Sequence, residues 1–235
     1  MAFINSSLKS ARNHLPAALL ASSFLFNGAN AAAAEDCHGI CHEKKVSENV
    51  SCSERESLSD RLVCNAESYL NVPYAQGGRG TAEHPGLDGL GLILRAYAST
   101  VGKDWTTLPQ TPREMVSSEA YGRPVENLAG TLYAHTDYSK LVRGDILLFL
   151  IPVTEGVLKS KYAHISAAAS EAGALLIDSQ QFLPWQYGIV SKEGDRLEQI
   201  EIVHSDPDSF VRHDSLNDIY IHRLFVLRPS ENFQK

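Results

Sequence analysis

Apolar residues recur at helical spacing in the first half of the chain and in short runs in the second half. A helix is predicted over residues 57–70, with its apolar side chains on one face. A second helix is predicted to begin after Asp88, a residue type that favours the N-cap, and to end before Gly102. The pair Thr111-Pro112 predicts a turn followed by a short third helix. The first half is therefore predicted to be mostly helical.

The second half has the pattern of a β-sheet. Residues 146–151 form a continuous apolar run, which is typical of a strand that is buried on both faces. Further strands are predicted at 162–169, 175–179, 187–191, 197–204 and 219–227, the first two of these pairing around a turn at 171–173. Helices followed by strands predict an α+β domain, with the N-terminal helices packed on one face of a central antiparallel sheet.

A glycine-rich motif precedes the second predicted helix. It reads Pro73-Tyr74-x-x-Gly77-Gly78, then a polar loop, then Gly86-Leu87-Asp88-x-x-Gly91-Leu92. This motif resembles the signature of NlpC-type cell-wall endopeptidases, which are papain-like cysteine peptidases that cut the peptide stems of peptidoglycan. The resemblance extends over residues 57–227 and implies a papain-like NlpC-type fold.

The resemblance also implies a catalytic arrangement, and one member of it is missing. In the family, the residue after the aspartate is the nucleophilic cysteine, whereas this chain has Gly89. In the family, the catalytic histidine opens the strand after the one that begins with a Gly-Asp pair, here Gly144-Asp145 before residues 146–151. His164 matches that place. The group that orients this histidine lies about one hairpin later, where Asp178 matches best. The resemblance thus implies a catalytic site built from position 89, His164 and Asp178.

The same motif implies a substrate-binding surface. Tyr74 matches a tyrosine whose hydroxyl lines the cleft of the family, and Gly77, Gly78 and Asp88 belong to the motif around that cleft. A stem peptide of peptidoglycan, or a partner cell-wall protein, is therefore the expected ligand.

A glycine at position 89 removes the group that would attack a carbonyl carbon. No serine or threonine lies between Gly86 and Ala98 to replace it. The chain is therefore expected to bind its ligand without efficient cleavage. An active peptidoglycan endopeptidase or amidase is the alternative, either because Gly89 stands where the natural protein has a cysteine or because another group attacks, such as water activated by His164.

The N-terminus has the pattern of an export signal. Residues 1–34 combine two basic residues, a short apolar run and a small-residue cleavage site, which are typical of a secretory signal peptide. A periplasmic or secreted location is therefore expected. Residues 35–56 then form a polar arm that contains cysteines, and residues 57–230 form the peptidase-like domain. No later apolar run is long enough to cross a bilayer.

The net charge and the cysteines bear on the expected binding partners and cofactors. The formal net charge of −7 argues against nucleic acid or anionic lipid as a partner. Four cysteines in an exported chain favour disulfides, with the pairing of Cys37, Cys41, Cys52 and Cys64 left open. The alternative is a redox or metal-binding role for Cys37, Cys41 and His42. The spacing of these two cysteines differs from that of haem attachment, and no cofactor is expected.

Overall fold

The computed structural model describes residues 51–154 and 174–230. Three α-helices lie in the first of these ranges, each begun by a side chain that accepts a hydrogen bond from a backbone N–H of the first turn. Their bounds are Leu58–Glu67 for α1, Gly89–Val101 for α2 and Pro112–Ser117 for α3, and their N-caps are Ser57, Asp88 and Thr111. Gly102 ends α2 in the left-handed conformation with φ 67°. The helix starts and the end of α2 were predictable because capping is local.

The strands of the described residues form one antiparallel sheet. They are β1 (Arg123–Pro124), β2 (Thr131–Leu132), β3 (Ile146–Pro152), β4 (Leu175–Ile177), β5 (Gln180–Lys192), β6 (Glu201–Ser205), β7 (Val211–Ser215) and β8 (Arg223–Arg228). The main order is β1-β8-β3-β5-β6-β7, with β2 also on β8 and β4 also on β5. The prediction of an α+β fold with one antiparallel sheet is confirmed.

Strand β3 is the buried centre of the sheet. Residues 146–151 of this strand are all buried, and β3 pairs with β5 on one side and β8 on the other. One hydrophobic cluster joins residues of α1 and α2 to β3, β5 and β8, and a second cluster joins other residues of the same strands to the 128–141 and 197–221 regions. The sheet therefore has apolar contacts on both faces, as the continuous apolar run predicted.

The pairing around β4 differs from the prediction. Leu175–Ile177 pairs with the start of β5 through a turn at Asp178 and Ser179, whose φ angles are 50° and 63°. Two successive positive φ angles are the signature of a type I′ hairpin turn. Strand β5 consequently begins at Gln180, well before the predicted start at 187. The predicted partner strand at 162–169 lies outside the described residues.

A buried ion pair joins the start of β3 to the end of β8. Asp145 is fully buried, and both of its carboxylate oxygens accept hydrogen bonds of 2.8 Å from the Arg228 guanidinium. The N–H of Val142 donates a further bond to the same carboxylate at 3.0 Å. Burial raises the pKa of Asp145, while Arg228 and Val142 oppose that rise. A buried carboxylate needs such partners to stay ionised.

A disulfide closes the N-terminal end of the described domain. Cys52 in a short 3₁₀ turn is bonded to Cys64 in α1, with 12 residues of sequence separation. This bond is one of the disulfides expected among the four cysteines. Cys37, Cys41 and His42 lie outside the described residues, so the expectations about them stay predictions.

Replacing the disulfide by the Cys52→Ser/Cys64→Ser pair is expected to lower the free energy of unfolding by about 3 kcal/mol. The cross-link stabilises the fold because it restricts the unfolded chain. The closed loop is short, which sets the size of the effect. Urea unfolding of both proteins measures the difference. Under reducing conditions the two proteins should become equally stable, and a difference that persists there would contradict this explanation.

Candidate functional site

The segment before α2 folds back on itself and lies against the first turn of that helix. The Leu87 N–H donates to the Pro73 carbonyl at 3.1 Å, and the Ala75 N–H donates to the Leu87 carbonyl at 3.3 Å. A Cβ added at Gly91 would lie 2.1 Å from the carbonyl oxygen of Gly78. Only glycine allows so close a backbone approach. The glycines of the motif thus bring the loop into direct contact with the helix start.

Asp88 joins three parts of this region through one carboxylate. Its Oδ1 accepts from the Gly91 N–H at 2.6 Å, which caps α2, and from Arg79 Nη1 at 2.7 Å. Its Oδ2 accepts from the Gly77 N–H at 3.0 Å. The negative charge also lies at the positive end of the helix dipole. Asp88 therefore holds the loop, the arginine and the helix together.

Tyr74 lies beside this carboxylate. Its backbone N–H donates to the Ser209 carbonyl at 3.1 Å, and its side chain is partly exposed. Partial burial raises the pKa of Tyr74, and the negative charge of Asp88 raises it further. The phenol is therefore protonated at neutral pH and offers a hydrogen-bond donor at the surface.

The space beside Gly89 is already filled. An added Cβ at this position would lie 2.5 Å from Gln186 Oε1 and 3.1 Å from both the backbone nitrogen and a ring carbon of Tyr187. Gln186 and Tyr187 are both buried and belong to β5. A side chain at position 89 is therefore excluded unless β5 side chains move.

The hydrogen bonds of Gln186 fix the orientation of its amide. Its Oε1 accepts from the Tyr187 N–H at 3.0 Å, so this atom is the acceptor end. Its Nε2 then donates to the Ser205 carbonyl at 2.7 Å and meets His204 Nδ1 at 3.2 Å. Because the amide nitrogen is a donor, Nδ1 of His204 must be the acceptor.

His204 is consequently neutral, with its proton on Nε2. That nitrogen lies 2.7 Å from Asp214 Oδ2, which also accepts from Arg212 Nε at 2.8 Å. Burial lowers the pKa of His204, and this effect outweighs the opposing influence of Asp214. Both ring nitrogens are engaged, so His204 has no nitrogen left to take a proton from a group at position 89.

The structure brings some of the expected site residues together. Gly89 and the binding residues Tyr74, Gly77, Gly78 and Asp88 all lie in or around the loop and the helix start. Their proposed roles in binding stay predictions. His164 lies outside the described residues.

Asp178 lies in another part of the sheet. It occupies the β4–β5 turn, its side chain is 74% exposed, and its carboxylate accepts from Arg223 Nη1 at 2.8 Å. Gln180, the next strand residue after this turn, precedes Gln186 by six positions, or roughly 20 Å of extended strand. The residues that lie beside position 89 are instead on β5, and those that contact Gln186 include residues of β6.

Gln186 and His204 were missed by the sequence analysis for a physical reason. Their contact depends on the register of β5 and β6, in which Gly188 lies opposite His204. Gln186 also lies next to a register shift in the β3–β5 pairing, opposite Phe149. A hairpin turn predicted at Asp178-Ser179 would have placed the start of β5 at Gln180. That earlier start was the signal that could have led to Gln186.

The described residues contain neither a metal-holding group of side chains nor a membrane-spanning helix. Within 51–154 and 174–230, no group of three or more His, Cys, Asp or Glu side chains is arranged to hold a metal ion. In the same ranges, no helix has the length and apolar character needed to cross a membrane.

Comparisons with known proteins give a likeness to solved structures. No protein-family model matches the chain, and no curated protein matches it. Among solved structures, RipD from Mycobacterium tuberculosis, described as a non-catalytic NlpC/p60 domain protein adapted to peptidoglycan binding, is similar at 17% identity and a TM-score of 0.39. The alignment covers 74% of this chain and 98% of RipD. At this TM-score the likeness does not decide the family.

Gly89→Ala is expected to lower the free energy of unfolding by about 1–3 kcal/mol, because the added methyl group meets Gln186 Oε1 and Tyr187. In a Gln186→Ala background, the same change should cost at least about 0.5 kcal/mol less, since one of the obstacles is gone. Urea unfolding of the four proteins gives this coupling. Ser99→Ala, at an exposed position of α2, is the control and should be near neutral. Equal costs in the two backgrounds would contradict the steric explanation.

The lowered pKa of His204 predicts an acid-dependent loss of stability. Below the unfolded-state pKa of about 6.5, the unfolded chain binds a proton that the folded chain resists, so stability is lost as pH falls. Asp214, Asp206 and Arg212 also act on this group and should be unchanged in the comparison. A His204→Gln variant should lose less stability than the natural chain between pH 7.5 and 5.5 in urea unfolding. An equal loss would show that other groups cause it.

Proposed function

We propose that this chain is an exported NlpC-type domain that binds the stem peptides of peptidoglycan without efficient cleavage. The observation that carries the proposal is the filled space beside Gly89. In the family that the motif resembles, this place belongs to the nucleophilic thiol. Here it is occupied by Gln186 and Tyr187.

The surrounding chemistry supports binding over catalysis. A cysteine-peptidase mechanism needs a nucleophile, a base within reach of it, and donors for the developing oxyanion. Gly89 supplies no nucleophile, and both nitrogens of His204 already have partners. The Gly91 N–H in the first turn of α2 is occupied by the Asp88 carboxylate. Among the described residues the nucleophile is therefore absent at position 89, and the histidine and the helix-start N–H named here already have partners.

The surface around the helix start still offers groups that suit a peptide. Tyr74 presents a protonated hydroxyl, and Arg79 presents a guanidinium that among the described residues donates to Asp88 and Gly78. The Arg79 side chain is 19% exposed, and its bonds to Asp88 and Gly78 hold it in place. Peptide stems carry carboxylates and amides, which a phenol and a guanidinium can hydrogen-bond.

Export is part of the proposal and has two supports. Residues 1–34 have the pattern of a signal peptide. Cys52 and Cys64 form a disulfide, a bond that persists in oxidising compartments such as the periplasm and the cell exterior.

The test combines sedimentation with insoluble peptidoglycan and mass analysis of the soluble fraction. The natural chain should sediment with peptidoglycan and release no fragments. Tyr74→Phe and Arg79→Gln should each weaken binding about threefold to tenfold, through loss of one hydrogen-bonding group. Arg196→Ala, which changes an exposed arginine in another region, should leave binding unchanged.

The same experiment distinguishes the active alternative. Gly89→Cys alone should release nothing, because Gln186 obstructs the new side chain and His204 is engaged. Gly89→Cys/Gln186→His should produce a thiol that reacts faster with iodoacetamide at pH 7 than the single variant. Fragment release by the natural chain would refute the non-catalytic proposal. Failure to sediment would refute peptidoglycan binding.

A further inference from the structure

A cavity lies at the edge of the sheet formed by β1 and β8. Its volume is about 590 Å³, which is within the range of small-molecule sites. It is lined by Arg123, Pro124, Val125, Glu126, Asn127, Lys140, Arg228 and Ser230. Three of these residues are cationic and one is acidic, although the whole chain carries a net charge of −7. The residues that line the cavity thus carry an excess of positive charge on an acidic protein.

Arg228 is held in place inside this cavity. Its Nε and Nη2 donate to the two oxygens of buried Asp145 at 2.8 Å each, and Nη2 also donates to the Lys140 carbonyl at 2.8 Å. The side chain nevertheless remains 40% exposed. A guanidinium that is fixed on one side and open on the other loses little conformational entropy when it binds an anion.

The other two cations, Arg123 and Lys140, line the same cavity. Arg123 lies directly opposite Arg228 in the β1–β8 register, and like charges at such positions repel each other. Glu119 lies 3.5 Å from Arg123 and Asp137 lies 3.7 Å from Lys140, in both cases as exposed contacts that water screens. A bound anion between the cations would relieve the remaining repulsion.

We propose that this cavity binds a small molecule through an oxyanion, either a phosphate or a carboxylate group. Arginine forks match both groups with paired N–H bonds, and the lysine adds a point charge. The volume exceeds what one oxyanion needs, so the ligand carries a further body that rests on Pro124 and Val125.

The cavity is separate from the candidate site at the start of α2. It lies on β1 and β8, whereas Gly89 meets residues of β5, and β3 lies between β8 and β5 in the sheet. The proposal therefore stands independently of peptidoglycan binding.

The experiment is a titration of the purified full chain with inorganic phosphate and, separately, with citrate, followed by calorimetry. Saturable binding of at least one anion is expected. Arg123→Ala/Lys140→Ala should weaken that binding at least tenfold, because two of the three cations are lost. Arg228 is left intact, since its removal would leave Asp145 buried without its counter-ion. Arg196→Ala/Lys103→Ala makes the same change of charge elsewhere and should leave the affinity within twofold.

Nuclear magnetic resonance supplies a local measurement that is independent of global charge. The Arg228 Nε–H is hydrogen-bonded to a buried carboxylate and should give a resolved signal, which is expected to shift as the anion binds. Tighter binding of phosphate would favour a phosphorylated ligand, and tighter binding of citrate would favour a carboxylated one. Absence of saturable binding by both anions, or equal weakening by the two double variants, would overturn the proposal.

Discussion

The Asp88 carboxylate is the interaction on which the candidate site depends. It ends the glycine-rich loop, begins α2 and holds Arg79, all with bonds of 3.0 Å or less. An N-cap of this kind stabilises a helix by about 1 kcal/mol, and here the same oxygens also fix the loop. A loop that lies this close to a helix leaves room only for glycine, as the contact between Gly78 and Gly91 shows. The side chains of the motif are thereby placed on a rigid support.

Most of the fold follows from local patterns, and the sequence predicted those parts. The N-caps Ser57, Asp88 and Thr111 mark helix starts because capping involves a residue and its next three neighbours. Strand β3 was predictable because a run buried on both faces must be apolar throughout. The long β5 was not predicted, because its first half carries polar residues such as Gln180 and its partner β4 is short.

The candidate site divides in the same way. The glycine motif and Asp88 form a local unit, so the position of Gly89 at the helix start could be predicted. Gln186 and His204 come from two strands that meet through sheet register, and a register change of one residue reverses which face a side chain occupies. No spacing along the chain encodes that contact. The residues that decide the chemistry next to position 89 are therefore the ones that required the structure.

The start of α2 at Gly89 and the side chains of Gln186 and His204 also constrain each other. If Gly89 were a simple loss of a nucleophile from a working site, the space for a thiol would remain open and a histidine beside it would have a free nitrogen. Instead Gln186 fills that space, donates to His204 and leaves the imidazole neutral. Gln186 itself satisfies the Ser205 carbonyl and the Tyr187 N–H, so its position is fixed by buried polar groups that would otherwise lack partners. A cysteine at position 89 would have to displace a satisfied network as well as supply a sulfur atom. This mutual dependence opposes a thiol-based reaction at position 89.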